Sequence, residues 1–69
     1  MGNIQISLAA ARVNAKMTQE EAARALGVSK QTICSWEKEK TIPNAVKLRE
    51  ISRVYGIDGD NIFLAKKSK

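Results

Sequence analysis

The chain has 69 residues, with twelve Lys and Arg against seven Asp and Glu, which gives a formal net charge of +5 at pH 7. This length predicts a single domain with a thin core. One cysteine excludes an intramolecular disulfide, and without histidine it cannot assemble a zinc site. We find no phosphate-binding glycine loop and no base that would activate a nucleophile, so we expect neither an enzyme nor a cofactor.

The basic charge is typical of proteins with a polyanionic partner, although solubility alone would also explain it. No secretory signal and no apolar stretch of membrane-spanning length is visible. Together with the unpaired Cys34, this predicts a cytoplasmic protein. We expect no membrane partner and no small-molecule ligand.

Apolar residues at helical spacing predict an all-α domain of five short helices over residues 1–65, followed by a basic tail over residues 66–69. The first helix is predicted from Asn3 to Ala15, because apolar residues recur along one face. Those residues are Ile4, Leu8, Ala11 and Ala15.

The second helix is predicted to begin after Thr18, which forms a capping box with Glu21. Gly27 ends it, because glycine tolerates a positive φ. The predicted buried face comprises Ala22, Ala23 and Leu26.

The third helix is predicted to start after the cap Ser29 and to run to about Lys38. Its inward side should carry Ile33, Trp36 and Glu37. We expect Trp36 to pack in the core, since a large aromatic residue dominates the core of so small a domain.

A fourth helix is predicted after Asn44, closed by Gly56. Its apolar face carries Leu48, Ile51, Ser52 and Tyr55. A short fifth helix, capped by Asp58 or Asp60, would contain Ile62, Phe63 and Leu64.

The segment from Thr18 to Glu37 has the features of two helices that cross steeply over a short turn. Ala23 permits close approach, Gly27 reverses the chain, and Ile33 anchors the second helix. The outward positions of that second helix are polar: Lys30, Gln31, Thr32 and Ser35.

The same segment reads Thr-Gln-x-Glu-x-Ala from Thr18, Gly-Val-Ser from Gly27 and Ile-x-x-Trp-Glu from Ile33, with Pro43 after the following loop. This pattern resembles the Cro/C1-type (XRE-like) helix-turn-helix family of phage repressors, Cro proteins and related bacterial regulators. The resemblance covers nearly the whole chain. It implies a lambda-repressor-like fold whose second and third helices form the DNA-binding motif, in a bacterial cell or a phage-infected host.

The resemblance also implies roles for individual residues. The third helix would enter the major groove of double-stranded DNA. Base contacts would come from Lys30, Gln31, Thr32 and Ser35, and phosphate contacts from Gln19, Ser29, Lys38 and Lys40. Arg12 and Glu37 match a structural pair of the family.

In this family two subunits commonly bind a palindromic operator, with half-sites about 34 Å apart. We therefore expect a Cro-like repressor that is a homodimer on DNA. The residues expected at the dimer interface are Ile57, Asn61, Ile62 and Leu64.

Three positions depart from the family pattern. Lys30 replaces an uncharged residue, Glu39 replaces the usual glycine of the loop, and Ser52 stands where a small apolar residue is usual. Because Lys30 is unusual, the base preference of a relative cannot be transferred to this chain.

Two other functions remain open from the sequence. The same scaffold could serve as a protein-interaction module, as in an antirepressor or an antitoxin, because a fold does not determine function. The polar outward face of the third helix argues against that as its sole role. RNA binding is less favoured, because the sequence offers no outward aromatic residues for stacking on bases.

Overall fold

The computed structural model describes residues 6–58 and 62, and these contain four α-helices and no β-strand. The helices are α1 (Leu8–Asn14), α2 (Gln19–Leu26), α3 (Lys30–Glu37) and α4 (Ala45–Tyr55). The predicted all-α class is therefore confirmed for this part of the chain. The predicted domain limits fall outside the described residues.

Each helix begins after a residue whose side chain accepts a hydrogen bond from a backbone amide in the first turn. These residues are Ser7, Thr18, Ser29 and Asn44. The capping box is complete, because Glu21 Oε1 accepts from the Thr18 amide at 2.8 Å. The predicted caps of α2, α3 and α4 are thus confirmed.

The start of the first helix was predicted wrongly. The helix begins at Leu8, because the Ser7 hydroxyl accepts from the Ala10 amide at 3.0 Å and caps the chain there. Ile6 lies before the cap and forms an isolated parallel β-bridge with Ile62. A serine hydroxyl competes with a backbone carbonyl for amide groups, which favours a helix start over a helix interior. Residues 3–5 lie outside the described residues.

The predicted count of five helices is not confirmed, and within the predicted fifth helix only Ile62 can be compared with the structure. Ile62 pairs with Ile6 in the bridge, and its side chain is 2% exposed. A residue in a β-bridge can bury an apolar side chain as well as a helical residue can, so periodicity alone could not distinguish the two. Asp60, Phe63 and Leu64 lie outside the described residues.

The core lies where α2 packs against α3 and α4, while α1 also contacts α3 and α4. Its buried hydrophobic residues are Leu8, Ala11, Ala22, Ala23, Leu26, Ile33, Trp36, Ile51, Tyr55 and Ile62. The predicted core position of Trp36 is confirmed, and the buried face of α2 is the predicted one. Because Ile33 and Trp36 hold the inner side of α3, the opposite side of that helix faces solvent. No helix in the described part of the chain has the length and apolarity needed to cross a membrane.

Candidate nucleic-acid interface

A tight turn sets the angle between α2 and α3. Gly27 adopts the left-handed conformation with φ of 69°, which glycine enters without a steric penalty. The amide of Val28 then donates to the carbonyl of Ala23 at 3.0 Å. Because Ala23 is small and buried, α3 can approach α2 closely and present its opposite side outward.

The outward side of α3 carries the residues predicted to contact bases. Lys30 and Gln31 are exposed, and Ser35 is half-buried. Thr32 is also half-buried, and its hydroxyl hydrogen-bonds the Ser29 hydroxyl at 3.0 Å. The structure thus places Lys30, Gln31 and Ser35 on a common surface, with Thr32 at its edge.

Cys34 also belongs to this outward side, which the sequence reasoning missed. It follows Lys30 by four residues and Gln31 by three, and residues at these spacings are neighbours on a helix surface. The thiol is free and half-buried. Helical spacing alone would have identified it.

An ion pair joins α1 to the end of α3. Arg12 Nε donates to Glu37 Oε2 at 2.6 Å, and the two side chains are only 15% and 8% exposed. Arg12 also donates to the carbonyl of Met17 at 2.8 Å. The hydrogen bond to Glu37 raises the pKa of Arg12 above its usual value, against the opposing effect of burial. Arg12 therefore ties α1 to the end of α3 and to the segment that precedes α2.

Gln19 is held by the same carboxylate. Its side-chain amide donates to Glu37 Oε1 at 2.9 Å. A primary amide has two hydrogens, so a second one stays available to an acceptor such as a phosphate oxygen. The half-buried Gln19 is thus oriented at the start of α2, where a helix dipole favours anions.

A surface hollow lies at this position. It is lined by Arg12, Thr18, Gln19, Glu20 and Lys30. Across it, Lys30 Nζ lies 3.8 Å from Glu20 Oε2. The sequence reasoning missed Glu20, because its contact with Lys30 depends on how α2 crosses α3.

The remaining residues predicted to contact phosphates surround α3. Ser29 caps the start of the helix, and Lys38 and Lys40 follow its end; all three are exposed. The loop between α3 and α4 is fixed by the Lys40 amide, which donates to the Ser35 carbonyl at 2.9 Å. The cationic side chains of Lys38 and Lys40 therefore lie just beyond the C-terminal end of α3.

Of the four residues predicted at a dimer interface, the structure describes Ile57 and Ile62. Ile57 is half-buried and packs against the core. Ile62 is buried in the core of its own chain. Asn61 and Leu64 lie outside the described residues. Within residues 6–58 and 62, no group of three His, Cys, Asp or Glu side chains is placed to hold a metal ion.

The sequence of the chain is similar to those of known helix-turn-helix proteins. A family model described as helix-turn-helix matches residues 8–62. Over 48 residues the chain is 40% identical to an uncharacterized HTH-type transcriptional regulator of Methanocaldococcus jannaschii, an alignment that covers 70% of this chain and 73% of that protein. No solved structure matches the chain.

Proposed function

The chain belongs to the Cro/C1-type helix-turn-helix family of DNA-binding transcription regulators, and we propose that it is a Cro-like repressor that binds a palindromic operator as a homodimer. The observation that carries the proposal is the asymmetry of α3. Its inner side is anchored by Ile33 and Trp36, while its outer side exposes Lys30 and Gln31. A helix held in this way can enter the major groove without losing its packing.

Lys30 and Gln31 have the chemistry needed to distinguish base pairs. A lysine ammonium can donate to guanine O6 and N7, and a glutamine amide can pair with adenine N6 and N7. Ser35 and the methyl group of Thr32 add contacts further along the groove. The sequence preference of the protein then depends mainly on Lys30 and Gln31, because their side chains are the most exposed of the four.

Phosphate contacts would hold α3 in register. Gln19 at the start of α2 and Ser29 at the start of α3 offer a side-chain donor beside a helix N-terminus. Lys38 and Lys40 add charge beyond the end of α3. Such contacts supply affinity for any sequence and make binding depend on salt.

Repression follows from occupancy. Two subunits related by a twofold axis would place two copies of α3 in successive major grooves, with half-sites about 34 Å apart. The bound dimer would exclude other proteins from the promoter that it covers.

The experiment that tests this function is selection of bound duplexes from a random DNA pool, followed by affinity measurement across salt concentrations. We expect a palindromic consensus and a steep fall of affinity with salt. Weak binding without a consensus would contradict the proposal and favour a protein-interaction module instead.

A further inference from the structure

Two residues ten positions apart in the sequence face each other across the hollow between α2 and α3. Glu20 is the second residue of α2, and Lys30 is the first residue of α3. Their charged atoms lie 3.8 Å apart, with side chains 67% and 59% exposed. The pair therefore spans the α2–α3 turn and lies in solvent, where a ligand can separate it.

The position of this exposed ion pair beside the start of α2 matters more for function than its small contribution to stability. The hollow that Glu20 and Lys30 line also contains Gln19 and Arg12. Gln19 retains a free amide hydrogen there, and the N-terminal end of α2 favours an anion. The Glu20 carboxylate thus stands beside the position that a DNA phosphate would occupy and contacts the cation predicted to meet a base.

The neighbouring carboxylate of Glu21 is engaged differently. Glu21 Oε1 accepts from the Thr18 amide at 2.8 Å and completes the capping box of α2. Glu20 and Glu21 therefore carry equal charge in the same turn of helix, but only Glu20 contacts Lys30. This difference provides a matched control within the chain.

We propose that Glu20 is an internal competitor of DNA for Lys30, which lowers the affinity of the free protein for any duplex. This inference rests on the proposed function. On an arbitrary duplex, which offers no preferred base, Lys30 would contribute by neutralising a phosphate. A lysine that already has a carboxylate partner adds little to that neutralisation, whereas a free lysine adds about 0.9 to the salt slope of binding. Lys30 contacts DNA only when the new contact is better than its contact with Glu20.

The test compares Glu20→Gln with Glu21→Gln on an arbitrary DNA duplex, by fluorescence anisotropy at several salt concentrations. Glutamine can still close a capping box, so the Glu21 variant keeps its cap. Both variants lose one negative charge from the first turn of α2, and urea denaturation checks that both stay folded. We expect Glu20→Gln to bind about 1.5- to fivefold more tightly than Glu21→Gln, the range of an exposed ion pair. Its salt slope should be steeper by about one.

The same two substitutions are then made in a Lys30→Gln background. There the difference between the Glu20 and Glu21 variants should disappear, because the cation for which Glu20 competes is gone. Equal affinities and slopes for the two single variants would overturn the inference and leave only a general effect of net charge.

A second readout separates this inference from the proposed function. The NMR signals of the Lys30 side chain, recorded without DNA, should shift in Glu20→Gln and stay unchanged in Glu21→Gln. If the wild-type chain binds no duplex, the proposed function fails and the competition fails with it, even where those signals shift. If the wild-type chain binds duplex and the signals do not shift, the inference alone is wrong.

Discussion

Glu37 has the most connected side chain of the interface, because one carboxylate accepts from both Arg12 and Gln19. It is 8% exposed, so its charge depends on these donors for stabilisation. The position of Gln19 at the start of α2 therefore depends on a residue at the end of α3.

Replacing Glu37 with Gln tests this connection. The substitution leaves the Arg12 guanidinium without its anionic partner, so we expect a loss of about 1–3 kcal/mol in the free energy of unfolding. Glu50→Gln is the control, since the Glu50–Lys47 pair is more exposed than the Glu37–Arg12 pair. This substitution should change the free energy of unfolding by less than about 1 kcal/mol. Urea denaturation of both variants gives the comparison, and equal losses would contradict the structural role of Glu37.

Gln31 and Lys40 should separate base recognition from phosphate binding. Gln31→Ala removes an exposed amide from the outer side of α3, so we expect preference at one base position to relax, at a cost of about 1–3 kcal/mol on the preferred site. Lys40→Ala should weaken all sequences about equally and lower the salt slope by about one. Both predictions are checked by measuring the affinity of each variant for the selected site and for its single-base variants. If Gln31→Ala and Lys40→Ala changed specificity equally, Gln31 would not be the base contact or Lys40 would not be the phosphate contact.

Tyr55 provides a prediction about pH. Burial raises the pKa of its phenol above the usual 10.0, the charge of Glu37 raises it further, and Arg12 partly opposes this. The folded state therefore holds the phenol proton more tightly than the unfolded state does. The resulting contribution of Tyr55 to the free energy of unfolding is complete below the pKa of the unfolded state and is lost as pH rises through the pKa of the folded state.

The chain has a single tyrosine, and its one tryptophan does not titrate, so the change of near-ultraviolet absorbance with pH reports the ionisation of Tyr55. We expect a higher titration midpoint in the native protein than in urea. In Tyr55→Phe, part of the loss of stability at alkaline pH should disappear. Identical midpoints in native and unfolded protein would show that burial has no effect on this group.

Among the elements, the ends of the helices show best how local chemistry and tertiary structure share control. Gly27 and Gly56 end α2 and α4 in the left-handed conformation, as predicted from their positions. Ser52, unexplained by sequence, donates its hydroxyl to the carbonyl of Ile57 and closes the turn after α4. Lys47 reaches across from α4 to the last carbonyl of α2, that of Leu26, at 2.8 Å.

Two non-glycine residues in the described part of the chain adopt a positive φ just beyond a helix end: Lys16 after α1 and Glu39 after α3. The φ of Glu39 is 64°, in a region that costs a residue with a side chain about 1–2 kcal/mol. Glu39→Gly should therefore raise the free energy of unfolding by about 0.5–1 kcal/mol, after the greater freedom of unfolded glycine is subtracted. Lys38→Gly is the control, because Lys38 has a φ of −86° and should lose stability. Urea denaturation of both variants measures these changes in the free energy of unfolding. A loss of stability in Glu39→Gly would show that the backbone at Glu39 is not strained.

At the scale of the whole molecule, the proposed homodimer has to form with Ile62 inside its own subunit. The surface that joins two subunits would then be formed by other residues, and the half-buried Ile57 is the described one among those predicted. On a duplex that carries both half-sites, we expect light scattering to give the mass of a complex of one duplex and two chains. Shifting one half-site by about five base pairs, half a helical turn, should abolish the joint binding. A single chain on the saturated palindromic duplex would exclude the homodimer.

The sequence by itself determined the helical class, three of the caps, the turn between α2 and α3 and the inward direction of Trp36. These features depend on neighbours within a few residues, which periodicity and capping chemistry report. Only the tertiary structure decided that Ile62 joins Ile6 in a bridge, that Glu37 orients Gln19, and that Glu20 meets Lys30. Each of these contacts joins residues ten or more positions apart, and it exists only because packing brings separate elements together.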